Sequence, residues 1–204
     1  MLIRALRARL RHLGRLRYRA QLGHLGRLRQ LGREHAGAAA VEFALILPVL
    51  ILVALGAVEI SLYALMTLKV QHAADTVADL IAREPDLSAT ILSGDLDALR
   101  YMLAPYTNLA DRVAIVTCAG VRGGGAARVL WQKRGAGSLG SASAVGAVGG
   151  TASLPASLTV RDGETVIVAE LFFRYHRSLL GLMPDATLRR VAYYRPRLGV
   201  PDTL

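Results

Sequence analysis

Two carboxylates need a chemical reason for where they stand. Glu42 opens a long aliphatic run, and Glu59 is the only charge in the 26 residues from Phe43 to Leu68. A carboxylate at the centre of hydrocarbon costs about 2.5–3.5 kcal/mol, and less toward the interface, so each needs a partner or a path to water. Glu59, between Val58 and Ile60, fits either contact with a partner or snorkelling to the membrane surface. Glu42 fits either pairing with a cation or an interfacial position with its head in water.

The groups that usually carry catalysis are dispersed. The five histidines, His12, His24, His35, His72 and His176, have no metal-ligand spacing. Cys118 is the only cysteine, so an intrachain disulfide is excluded; on an oxidising side of a membrane it is either buried or open to intermolecular pairing. Gly123-Gly124-Gly125 lacks the flanking strand, helix and spacing of a phosphate loop and fits a hairpin connection, while Asp162-Gly163 fits a turn before a strand. The sequence therefore predicts a non-enzymatic protein with no cofactor and no metal.

The element that must position both glutamates is the apolar run itself. About 20 helical residues span a hydrocarbon core, and a soluble domain of this size rarely buries so long an element on every face. Before it lie ten arginines against the single acid Glu34, whereas the remaining 15 Lys/Arg face 14 Asp/Glu. The net charge of +10 thus belongs to the leader, which removes the main support for nucleic-acid binding by the folded part. Basic segments stay cytoplasmic, placing the N-terminus in the cytoplasm and the C-terminal domain across the membrane. A cleaved secretory signal fits poorly, because the leader is long, the apolar run exceeds an ordinary signal core and helical patterning continues past it. Within the leader, HLGRLR occurs at His12–Arg17 and His24–Arg29; its leucines and arginines suit a weakly amphipathic helix on anionic lipid, RNA binding or a transit peptide, or a plain topology determinant.

Beyond the run, Val70, Ala73, Ala74, Val77, Ala78 and Ile81 form one helical stripe, with Asp75, Asp79 and Arg83 on another side, and Pro85 marks the end. The organisation predicted is a basic leader at 1–37, a membrane helix and its extension at 38–84, and an extracytoplasmic domain at 85–204. In that domain Ser93 or Asp95 is the expected cap of a helix with face Leu96, Leu99, Met102 and Leu103, ending near Pro105. Strand patterns follow at DRVAIVTC, ARVLWQK, TVIVAELFFRY and TLRRVAYYR. A Gly/Ala/Ser-rich stretch around 134–157 is expected to be a flexible excursion or a partly disordered loop. The predicted fold is α+β, a long N-terminal helix packed near a small antiparallel sheet.

At the junction the sequence reads REHAGAAAVEFALILP. It resembles the processing site of the type IV pilin superfamily, particularly its Flp-type branch, where a prepilin peptidase cuts after glycine and glutamate stands fifth in the mature chain. Here these positions are Gly37, Ala38 and Glu42, followed by Phe43. Onward, the segment is similar to TadE-like pseudopilins of the tight-adherence pilus system, with Pro48, Glu59 and Gln71-His72-Ala73-Ala74-Asp75 in the family's proline, second glutamate and Q-x-A-A-D places; YYRPRLG near the C-terminus is more weakly similar. The resemblance implies a pilin-like fold in the bacterial inner membrane, with the C-terminal domain in the periplasm and Glu42, Pro48 and Glu59 engaged in membrane-helix assembly. It implies cleavage by a prepilin-type peptidase. The implied partners are other pilins or pseudopilins, inner-membrane assembly proteins and lipid, in an oligomeric assembly. The alternative is an unrelated envelope binding protein with an uncleaved anchor.

Overall fold

The first helix, α1, runs from Leu2 to Arg83 and carries Pro48 within it. The computed structural model describes residues 37–204 apart from 86, 107, 177–179 and 198–203, and residues 2–36 by backbone alone. The chain divides into two units, Met1–Leu55 and Gly56–Leu204, and α1 contributes to both.

In the first unit the side chains from Gly37 onward are exposed, including Val41, Phe43, Leu45, Val49 and Leu52. A helix whose large aliphatic side chains lie open around its circumference is matched to hydrocarbon rather than water. Gly37–Arg83 is the one described segment long and apolar enough to cross a membrane.

In the second unit α1 becomes one-sided. Met66, Val70, Ala73, Ala74, Val77, Ala78, Ile81 and Ala82 are buried, so the stripe expected from spacing is the packed face. Their small alanines let the helix lie close on a sheet. That sheet has four strands, β1 (Arg112–Gly120), β2 (Arg128–Gly135), β3 (Thr165–Tyr175) and β4 (Ala186–Tyr194), in the order β2-β1-β3-β4 with every pairing antiparallel. The α+β fold read from the sequence is thus the fold observed. Gly123 and Gly124, with φ of 69° and 71°, supply the left-handed backbone of the β1–β2 connection, where the glycine triplet suggested a hairpin.

The second helix, α2 (Ala89–Met102), buries Leu92, Leu96 and Leu99 beside the same core. Its cap is Ser88, which accepts the N–H of Ile91 at 3.3 Å, not Ser93 or Asp95. Ser93 sits inside the helix and donates its hydroxyl to the carbonyl of Thr90, so its polarity is consumed locally instead of starting the helix. Gly135 lets α2 approach β2: an added β-carbon would stand 2.8 Å from Leu96 Cδ1.

The Gly/Ala/Ser-rich stretch is a packed cover on the other sheet face, in contrast to the flexible loop expected. Leu139, Val145 and Ala152 are buried against Val113, Ile115, Phe172, Val129, Val166 and Val168. Gln132 Nε2 donates to the carbonyl of Gly146 at 3.1 Å, and Ser153 N donates to Val145 O at 2.7 Å. With helices on one face and this cover on the other, β1 is buried along its whole length. Cys118, on β1, is completely buried, which is the first of its two predicted states.

Candidate functional site

The junction residues Gly37, Ala38, Glu42 and Phe43 are all exposed on α1. Ala38 and Glu42 are one helical turn apart and share a face. The helical backbone continues through the leader instead of starting at Ala38. Glu42 therefore has no helix N-terminus beside it in the uncut chain, and the favourable dipole there would exist only after cleavage. Among the described residues no hydrogen-bond or ionic partner reaches its carboxylate. A β-carbon on Gly37 would meet nothing within 4 Å, so the helix itself places no demand for glycine at that position. Pro48 remains inside the helix with its side chain exposed; its ring leaves the carbonyl four residues earlier without the usual N–H.

Glu59 does not reach outward to the surface but finds its hydrogen-bond donors within its own chain. It is fully buried, and its carboxylate accepts the N–H of Leu180 at 2.9 Å and of Leu182 at 3.1 Å, with Met183 N at 3.5 Å. Gly181 between them has a φ of 66°, and a left-handed residue there lets the N–H groups on either side of it turn toward one anion. Leu182 Cδ1 lies 3.2 Å from where a Gly56 β-carbon would stand, so glycine opens the seat for the loop one turn before the carboxylate. Tyr63, one turn after it, meets the Tyr175 ring edge-on at 5.0 Å and pins the end of β3 to the helix. The sequence signal for this contact is faint: an apolar LGLMP segment with a central glycine, more than a hundred residues from its partner.

A second buried carboxylate escaped sequence reasoning. Glu170 on β3 accepts Arg189 Nε at 2.9 Å and Nη2 at 2.7 Å, the N–H of Ala144 at 3.1 Å and the hydroxyl of Ser143. It thereby ties β4 and the Gly/Ala/Ser cover to the sheet centre. Its signal was legible as the single acid in TVIVAELFFRY, yet its partners lie on other elements.

At the end of β3, His176 Nε2 meets Asp111 Oδ1 at 2.9 Å, and that hydrogen bond holds the Asp111 carboxyl below its usual range. The pair fastens the 3-10 turn Leu109–Asp111 to the sheet beside a cavity of about 310 Å³ lined by Leu62, Tyr106, Phe173 and Arg174. Among the described residues no three His, Cys, Asp or Glu side chains gather as a metal site would require.

The fold and these contacts define an α+β domain carried on one apolar N-terminal helix that fits a single-pass membrane anchor. Residues 37–79 match the family model described as TadE-like protein, the family that the junction and helix motifs resemble. That match suggests involvement in Tad pilus assembly and, in general terms, association with a pilus-assembly system. No curated protein and no solved structure matches the chain.

Proposed function

We propose that this protein is a non-enzymatic, pseudopilin-like component of a Tad/Flp-type pilus assembly or secretion apparatus. It sits in the bacterial inner membrane with its leader cytoplasmic and its domain periplasmic. It works through packing of its membrane helix and contacts of its outer domain with other pilins or pseudopilins and inner-membrane assembly proteins. The observation that carries this is the family match over residues 37–79, which begins at Gly37 and includes both Glu42 and Glu59. The arginine-rich leader supports the orientation.

A prepilin-type peptidase removes residues 1–37 and leaves a charged amine on Ala38. That amine lies one turn from Glu42 on the same helical face, or meets a Glu42 of a neighbouring subunit. A carboxylate that is exposed and unpartnered within the described chain is suited to such a pairing. N-terminal sequencing of protein purified from membranes tests the processing step. A mature chain beginning at Ala38 is expected; a chain beginning at Met1 would remove cleavage from the account and leave Glu42 an interfacial residue. Gly37→Leu separates the steps, because a bulky side chain obstructs close approach to the scissile backbone without disturbing the helix.

A further inference from the structure

We propose that the β3–β4 loop at Leu180–Met183 lies in the interfacial layer of the bilayer where α1 leaves it, held there by the Glu59 carboxylate. The inference rests on α1 being the membrane anchor and is independent of the pilus reading.

Leu180 and Leu182 are 41% and 51% exposed, in a segment without charge. Their position is fixed by α1: Leu182 Cδ1 packs at Gly56, and the loop amides reach Glu59 one turn later. At that same level of the helix Val58 and Ile60 point outward with 48% and 52% exposure, so the helix face flanking the loop is itself apolar and open. The exposed leucines and the outward Val58 and Ile60 beside them make one apolar surface, and lipid is the occupant we assign to it.

The polar chemistry agrees with that layer. A loop entering a water-poor environment must find acceptors for its backbone N–H groups, because water no longer supplies them. A carboxylate at the same depth must find donors or pay for its charge. Glu59 and the N–H groups of Leu180 and Leu182 meet both needs together, with the Glu59 side chain fully buried. In a fully hydrated loop, water would meet both needs and a dedicated carboxylate would bring little.

The test uses the full chain reconstituted in vesicles of phosphatidylethanolamine and phosphatidylglycerol. In a Cys118→Ala background, a nitroxide is placed at position 182 or, as an aqueous control, at exposed Arg161, and relaxation by oxygen is compared with relaxation by a water-soluble nickel chelate. The label at 182 is expected to favour oxygen and the label at 161 nickel. Equal nickel access at the two positions would place the loop in water, and exclusion of both relaxants at 182 would bury it against protein; either overturns the proposal. Glu59→Ala and the isosteric Glu59→Gln test the holding role, with the oxygen-to-nickel ratio at 182 expected to fall several-fold, less for Gln, while the chain stays membrane-integral. An unchanged ratio in both variants would overturn it. The parent reading at 182 decides the loop's location even where a variant fails to fold, and a leader left uncut would move neither label.

Discussion

The carboxylate of Glu59 on α1 accepts the backbone N–H of Leu182 at 3.1 Å, joining that helix to a loop 123 positions later in the chain. Together with the bond from Leu180, this makes an acid in an apolar run a structural acceptor. Removing it would leave two N–H groups without their acceptor, each worth roughly 1–2 kcal/mol in a loop that is partly exposed. Glu59→Ala is therefore expected to destabilise the second unit by about 2–4 kcal/mol, and Glu59→Gln, which keeps one acceptor, by less. Denaturant titration of detergent-solubilised protein, followed by fluorescence of the buried Trp131, measures this. An unchanged midpoint would mean that water replaces the carboxylate.

Glu170 and Arg189 should behave as a coupled pair. Arg189→Leu leaves a fully buried carboxylate without its counter-charge, although its own side chain is 38% exposed, so the cost falls somewhat below the ~3–5 kcal/mol of a wholly buried pair. Glu170→Gln with Arg189→Leu should cost less than the sum of the single changes. Because Glu170 also holds Ser143 and Ala144, hydrogen exchange at Ala144 and Val145 should speed up in Glu170→Ala. Unaltered exchange there would detach the Gly/Ala/Ser cover from this carboxylate.

Asp95 and Asp111 predict opposite pH responses. Burial, then the charge of Glu84, raises the Asp95 carboxyl above its ordinary value of 3.8. The fold thus favours its protonated form, and the stability linked to it is present at low pH and lost as pH rises through the raised value. Asp95→Asn should raise the unfolding midpoint at neutral pH and have little effect in acid. Asp111 is lowered by its bond to His176, so its contribution is present above the unfolded carboxylate value and lost as pH falls through the folded one. His176→Gln should accordingly cost stability at neutral pH and nothing in strong acid. Thermal melts of the two variants across pH check both signs.

The strands were legible because alternation and β-branching report a sheet locally: the run DRVAIVTC anticipates Arg112–Gly120, and TVIVAELFFRY coincides with Thr165–Tyr175. The stripe from Val70 to Ile81 was legible for the same reason, its period matching the buried face. What escaped depends on distant partners. The composition of the stretch around 134–157 gives no hint of the Gln132, Glu170 and Val113 contacts that order it. Glu59 stood out as a lone acid, but nothing local to it announces amides from the β3–β4 loop. The start of α2 was misplaced because several residues before Leu96 are competent caps and only the backbone geometry at Ser88 selects one.

Cys118 is enclosed by the core, so a water-soluble maleimide should leave it unmodified in the native protein and label it fully after denaturation. Mass spectrometry before and after denaturant reads the difference. Rapid native labelling would require β1 to open or the sheet to pair differently.

If the chain acts within a pilus-assembly complex, as proposed, affinity purification of the full-length protein from its native membranes after gentle solubilisation, with mass spectrometry of what accompanies it, will show it. The expected result is recovery with pilin-like subunits and inner-membrane assembly proteins of a Tad-type system, and reduced recovery of those partners for Glu42→Ala while membrane insertion persists. Isolation as a lone monomer carrying a reproducible catalytic activity would contradict it.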